Sequence, residues 1–219
     1  MRAMSTTPSS STLMTTANLE LVELSRADRA EMVGVLARGM RDNPLHVAAY
    51  GPDPERRLRI HGRLMAALFT ASPHQRPFGL RRNGALVALA GVAPVGTCRP
   101  SARQKLALMP SLARTGPRTA ARVGRWLSAW EQLDPPEPHS HLGPVAVDAH
   151  LQGQGIGSVL LSEYARRLDA AGEVGYLETD KPENVRFYER AGFVVTSQRD
   201  VIGVPNWFMR REPLHDQDR

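Results

Sequence analysis

Gln152-Gly153-Gln154-Gly155-Ile156-Gly157 is the stretch on which the reading of this chain turns. Before it runs an apolar, strand-like segment, His141-Leu142-Gly143-Pro144-Val145-Ala146-Val147. After it, from about Ile156 to Ala171, the residues Ile156, Val159, Leu160, Tyr164, Leu168 and Ala171 recur at helical spacing and form one stripe. Glycines at 153, 155 and 157 remove Cβ atoms where strand passes into helix, so the backbone amides can close on a ligand. The helix start adds N–H groups without intrahelical partners and the positive end of the peptide dipole. Strand, glycine turn and helix together make an anion site suited to a pyrophosphate.

Spacing separates the kinds of glycine-rich loop. A P-loop ends in Gly-Lys-Ser/Thr, and the chain's two lysines, Lys105 and Lys181, stand in no such context. A dinucleotide fingerprint needs G-x-G-x-x-G, whereas this loop reads G-x-G-x-G. The pattern that fits is Q/R-x-x-G-x-G/A, with Gln152, Gly155 and Gly157 in the fixed places. About thirty residues on comes Asn184-Val185-Arg186-Phe187-Tyr188-Glu189-Arg190-Ala191-Gly192-Phe193. It reads as a short helix with Asn184 as N-cap and Gly192 as C′, followed by a strand from Phe193, and it sets Tyr188 one turn beyond Asn184. Taken singly, each segment also reads as an ordinary αβ turn or a core aromatic.

In this order, the two motifs resemble those of the GNAT superfamily of acyl-CoA N-acyltransferases, whose pyrophosphate loop is Q/R-x-x-G-x-G/A and whose later motif is N-x-x-x-Y-x-x-x-G-F. The resemblance is closest over about 137–210. Leu142-Gly143-Pro144-Val145-Ala146-Val147, Tyr176-Leu177-Glu178-Thr179 and Phe187-Tyr188-Glu189-Arg190 make it most similar to the puromycin N-acetyltransferase branch and related actinobacterial-type proteins. Upstream of 137 only the layout is shared.

The whole chain bounds the reading. At 219 residues and 24.1 kDa it is one domain, expected over 19–212, behind a Ser/Thr-rich tail at 1–18 that reads as disordered. The single cysteine, Cys98, excludes a disulfide framework and makes no zinc site by itself. No apolar run approaches the roughly 20 residues that span a bilayer, and the tail lacks the apolar core of a signal peptide, so a cytoplasmic setting and no membrane partner are expected. The formal charge is +6, and 26 of the 28 basic residues are arginine. These are scattered, as in Arg56-Arg57-Leu58-Arg59, without interleaved aromatics, which favours solvated helix faces over a nucleic-acid patch.

Element by element, a first strand falls at Leu19 to Leu24, and Ser25-Arg26-Ala27-Asp28 resembles a capping box before a helix that turns Met32, Val33, Leu36 and Met40 inward. Asp42-Asn43-Pro44 breaks it, and a helix follows from Pro54 to Thr70. Phe78 to Arg82 and Ala85 to Val95 form a hairpin across Asn83-Gly84. Val123, Trp126, Leu127, Trp130 and Leu133 mark one more helix, with Pro110 and Gly116-Pro117 dividing what precedes it. Strands follow at Glu137 to Val147, Val174 to Asp180, Phe193 to Arg199 and Asn206 to Arg211. The fold class is α/β (α+β): a mixed sheet of about seven strands with helices on both faces, which is the GNAT layout.

Gly143-Pro144 suits no uninterrupted interior strand, because Pro lacks the ladder N–H and Gly weakens pairing. A bulge or splay is expected there. The resemblance implies that the opening takes the pantetheine arm of acetyl-CoA, the expected cosubstrate, against Val145, Ala146 and Val147. Two unbroken parallel strands through 143–147 would refute it.

The resemblance also implies roles. Gln152, Gly153, Gln154, Gly155, Ile156, Gly157 and Ser158 would hold the pyrophosphate, and Asn184 the pantetheine arm. Val147 N–H would stabilise the oxyanion, and Tyr188 would protonate the departing coenzyme A sulfur. Glu178, directly or through water, is the candidate base, with a carboxylate paired to an arginine as the plain alternative. Glu137, His139 and His141 share a face if the segment is extended, and form either a proton relay through His141 or polar strand-entry residues. No metal is expected there, since Pro138 disturbs regularity and no cysteine adjoins. Cys98 has no His nearby in sequence and reads as a small structural residue. His46, Tyr50 and His139 are candidate acceptor contacts. The expected activity is acetyl transfer to a primary amine by direct attack in a ternary complex. The acceptor is a small molecule, aminonucleoside-like or polyamine-like, with a protein amine or a non-catalytic acyl-CoA-binding role as alternatives. A homodimer stays open.

Overall fold

The computed structural model describes residues 18–214; the tail expected over 1–18 lies, but for Asn18, outside them. In chain order the elements are β1 (Leu19–Glu23), α1 (Arg29–Gly39), α2 (Pro44–Tyr50), α3 (Pro54–Ala71), β2 (Phe78–Arg82), β3 (Ala85–Ala93), α4 (Ala102–Ala113) and α5 (Pro117–Leu133). Then come β4 (Ser140–Val147), a 3₁₀ turn (Ala149–Leu151), α6 (Ile156–Ala171), β5 (Gly175–Thr179), α7 (Pro182–Glu189), β6 (Val194–Val201) and β7 (Val204–Arg211).

The strands form one mixed seven-stranded sheet in the order β1-β2-β3-β4-β5-β7-β6, and β4–β5 is its parallel pair. Helices cover both faces. On one, Ile156, Leu160, Leu161, Tyr164 and Leu168 of α6 pack on Phe78, Leu80, Ala88, Ala90 and Leu142 of the sheet. Full burial of each large side chain is worth roughly 1.5–3 kcal/mol, so this helix is held by its stripe. The stripe is turned slightly from the sequence reading: Leu161 joins it, while Val159 stays 38 % exposed. On the other face, Met32, Val35 and Leu36 of α1 and Phe69 of α3 close over Leu86, Leu89 and Ala146. The Asn83-Gly84 turn has both residues at positive φ, 52° and 79°, which matches a tight hairpin.

Three local expectations are corrected. Residues 44–50 form a helix, where the sequence showed only a break; it is nearly apolar and buries Leu45, His46, Ala49 and Tyr50, so no polar face marks it. Pro110 lies inside α4 rather than dividing it. The carbonyl it leaves without a donor is that of Leu106, a residue 71 % exposed, so water can serve it. In α7 the N-cap is Lys181 with Pro182 at N1, and Asn184 sits at the third helical position.

The sheet parts where Gly143-Pro144 occurs. β4 and β5 pair only through Ser140↔Gly175 and His141↔Tyr176. Toward β3, the register slips: Val92 faces Leu142 but Ala90 faces Val145, so β4 spends one extra residue across the Gly143–Pro144 step, a cis peptide. Gly91 permits this bulge, since a Cβ there would sit 2.8 Å from both Gly143 O and Pro144 Cδ.

Candidate active site

The parted strands open one wall of a cavity of about 290 Å³. β4 supplies His141 and Leu142 to Val145, β5 supplies Glu178 and Thr179 with Asp180 just past its end, and α7 supplies Asn184 and Tyr188. The opposite wall is apolar and aromatic, built by α2, α3, α4 and α5. There His46 stacks on Tyr50 with ring centroids 5.2 Å apart and packs on His61 at 4.2 Å and Trp126 at 5.4 Å. The structure therefore brings His46, Tyr50, His141, Val145, Glu178, Asn184 and Tyr188 to one cavity.

Two of these groups touch. His141 Nε2 lies 2.9 Å from Glu178 Oε2, whose side chain is 3 % exposed. Burial is the largest single influence on His141 and pulls its pKa down. The charge of Glu178, with the neighbouring Asp134 and Cys98, overturns that and holds the ring well above the ordinary imidazole range. Tyr188 is also buried, and burial drives its phenol pKa up, so it keeps its proton and can donate it. Asp180 accepts the Leu45 N–H at 2.7 Å, which fixes the start of α2 against the end of β5. Its carboxyl is pushed up by burial.

His46 is the second buried base of the wall. Burial lowers its pKa to about 4, and its Nδ1 sits 2.6 Å from Met40 O. A carbonyl only accepts, so the neutral ring carries its proton on Nδ1 and its lone pair on Nε2.

The glycine loop stands apart from this cavity, at the start of α6. Gly153 and Gly155 have φ of 76° and 81°, in the left-handed region that their lack of Cβ permits, and Gly155 is the N-cap. The first amides of α6, including Ile156 and Gly157, have no carbonyl one turn back to receive them. Gly157 brings the helix against the strand end, since a Cβ there would meet Val147 Cγ2 at 3.5 Å. The Gln152 amide donates to Gly39 O at 2.9 Å and Val147 O at 3.1 Å, joining α1, β4 and the loop. Gln154 donates to His150 O at 3.4 Å. Ser158 faces a separate groove beside Arg166 and Arg190. Ala146 points away from the splay into the core beneath α1.

His139 precedes β4, on the same side as His141, and lies outside the cavity lining. Its ring is buried on Tyr176, with centroids 5.1 Å apart, and its Nδ1 is 2.8 Å from Glu137 O. The expected Glu137–His139–His141 relay is thus replaced: Glu137 contributes a carbonyl, and the acidic partner is Asp134. Burial by itself would raise the Asp134 carboxyl; the neighbouring His141 imidazole, the Arg99 hydrogen bond and the charge of His139 outweigh it and hold the group at about 2. Cys98, read from sequence as lacking a His, lies beside both, and the two imidazoles lower its thiol to about 7. Asp134 and Cys98 carried no local signal, standing 36 residues apart in the chain.

The geometry agrees with what the chain is similar to. The solved acetyltransferase from Corynebacterium glutamicum described as histone acetyltransferase HPA2 and related acetyltransferase superposes with a TM-score of 0.65 at 19% identity, over 90% of this chain and 97% of its own. Drosophila melanogaster polyamine N-acetyltransferase gives 0.60 at 12% identity, over 89% and 100%. A GNAT family acetyltransferase from Brucella melitensis, solved with acetyl-CoA, gives 0.51 at 18% identity, over 89% and 88%. At such identities these three carry the fold alone. The model of the acetyltransferase (GNAT) family matches residues 45–193, which include the splay, the glycine loop and the Asn184/Tyr188 helix. The chain belongs to the GNAT acetyltransferase family, acyltransferase enzymes that take the acetyl group from acetyl-CoA.

Proposed function

We propose that the enzyme acetylates the primary amine of a small molecule with an apolar or aromatic body, by direct attack in a ternary complex with acetyl-CoA. The observation that carries this is the cavity's two-ended chemistry. Glu178, Tyr188 and the splayed β4 stand at one end, and His46, Tyr50 and Trp126 build an aromatic wall at the other. Two carboxylates line it, Glu178 engaged by His141 and Asp180 by Leu45 N–H. That favours an aminonucleoside-like acceptor over a polycation, which calls for several open carboxylates.

In this reading the glycine loop cradles the pyrophosphate on the amides of α6, and the pantetheine arm lies in the splay beside Val145 with Asn184 as a side-chain contact. Glu178, held by His141, takes the proton from the attacking amine. The oxyanion forms against Val147 N–H, and Tyr188 returns a proton to the coenzyme A thiolate. Cys98 does not line the cavity, which supports direct attack over an acyl-cysteine.

A panel of primary amines assayed with acetyl-CoA, following release of free coenzyme A thiol, tests it. Turnover should be highest with aromatic or aminonucleoside-like amines. Preference for spermidine or agmatine would overturn the acceptor class, and absence of turnover with any amine would overturn the small-molecule reading.

A further inference from the structure

Behind the cavity wall, on the side of His141 away from Glu178, four side chains from three segments converge. Cys98 comes from the connection after β3, Asp134 from the end of α5, and His139 and His141 from the start of β4. One donor atom from each lies within 4.8 Å of the other three. Asp134 Oδ1 is 3.2 Å from His139 Nε2 and 3.7 Å from His141 Nδ1, and Cys98 Sγ is 3.5 Å from Asp134 Oδ2. Ligands bound tetrahedrally at about 2.0–2.3 Å stand about 3.3–3.8 Å from one another; the two histidine edges to Asp134 Oδ1 are already close to that, and the other edges, at up to 4.8 Å, need a small closure.

The hydrogen bonds single out the inner nitrogens. His139 Nδ1 faces the Glu137 carbonyl at 2.8 Å and His141 Nε2 faces the Glu178 carboxylate at 2.9 Å, and both partners are acceptors. The outer nitrogen of each ring therefore carries the proton. The inner ones, His139 Nε2 and His141 Nδ1, are buried, make no hydrogen bond of good geometry and face Asp134 Oδ1 at 3.2 and 3.7 Å.

We propose that Cys98, Asp134, His139 and His141 form a tetrahedral Zn²⁺ site. A thiolate and a carboxylate neutralise the ion, and sulfur with two imidazoles selects Zn²⁺ over Mg²⁺ or Ca²⁺. The outer shell is in place: the Glu137 carbonyl on His139, Glu178 on His141, and Arg99 Nε 2.9 Å from Asp134 Oδ2. Cys98, Asp134 and His139 do not line the cavity, so the site is closed and structural rather than a Lewis acid for the substrate. It fastens the connection after β3 and the end of α5 to β4, and it sets His141 as an Nε2–H donor to Glu178. The site stands on these four residues alone, whatever the acceptor.

Chelator-treated full-length protein, titrated with Co²⁺ and then Zn²⁺, decides the matter. One equivalent of Co²⁺ should give the intense visible bands of tetrahedral cobalt with a thiolate charge-transfer band, both bleached by Zn²⁺. Cys98→Ser should lose the charge-transfer band, and His139→Gln should bind at least about 100-fold more weakly, beyond the loss of an outer-shell partner. The unmutated protein supplies a check independent of variant folding, because its only cysteine is Cys98. Zn²⁺ should slow alkylation of that thiol by about tenfold or more. A pale octahedral Co²⁺ spectrum, or alkylation indifferent to Zn²⁺, would overturn the site.

Discussion

Gly91 lies so close to Pro144 that a Cβ on it would stand 2.8 Å from Pro144 Cδ. The bulge that opens the sheet therefore depends on a residue of the neighbouring strand having no side chain. Gly91→Ala should cost about 1–3 kcal/mol of stability, as overpacking does, and should also weaken acetyl-CoA binding. Gly124→Ala, on the open face of α5 with nothing within 4 Å, should instead raise stability by about 1 kcal/mol. Paired urea melts and acetyl-CoA titrations check both; an equal response at the two sites would remove the bulge from the binding site.

Tyr188→Phe should lower kcat by about 100-fold or more while leaving acetyl-CoA affinity nearly unchanged, because it deletes one proton donor and little packing. Unaltered turnover with the true acceptor would take Tyr188 out of the mechanism.

Glu178→Gln keeps size and a hydrogen-bond partner for His141 but removes the proposed base. Steady-state kcat should fall by about 100-fold with an ordinary alkylamine. The loss should be much smaller with an acceptor whose amine is already neutral at the assay pH. An equal loss for both acceptors would assign Glu178 a purely structural part.

Acid should destabilise the fold through the aromatic wall. His46 titrates at about 4 when folded, against about 6.5 in an unfolded chain, and burial likewise holds His61 well below its usual value. Both folded-state values are depressed, so below about pH 6.5 the unfolded state binds more protons, and stability falls as pH drops toward 4. The His46 share is about 3 kcal/mol. Thermal melts from pH 7 to 4 should show that slope, and His46→Gln should flatten part of it.

What could be read from sequence was what is local. The glycine loop and α6 were legible because turn, dipole and stripe lie within twenty residues. The splay was legible because Gly143-Pro144 breaks a strand by chemistry alone. The convergence of Cys98 and Asp134 on two histidines was not, since tertiary contact and no periodicity unites them. Gly91 was invisible for a related reason: its meaning depends on the strand beside it. Pro182 outweighed Asn184 as the start of α7 because a fixed φ suits the first helical position whichever polar residue follows.

Past the two ladder pairs at Ser140 and His141, the ladder partner of β4 is β3 alone, down to Val147 against Ala88. From His141 to Val147 a strand reaches about 20 Å at roughly 3.3 Å per residue. A displacement of β3 by about 1 Å at Ala88 would carry Val147 with it, a misplacement that can cost about 100-fold in rate. In the proposed mechanism, accuracy at the reacting carbonyl is therefore set by β3, and substitutions at Ala88 or Leu89 should act on rate without touching either substrate.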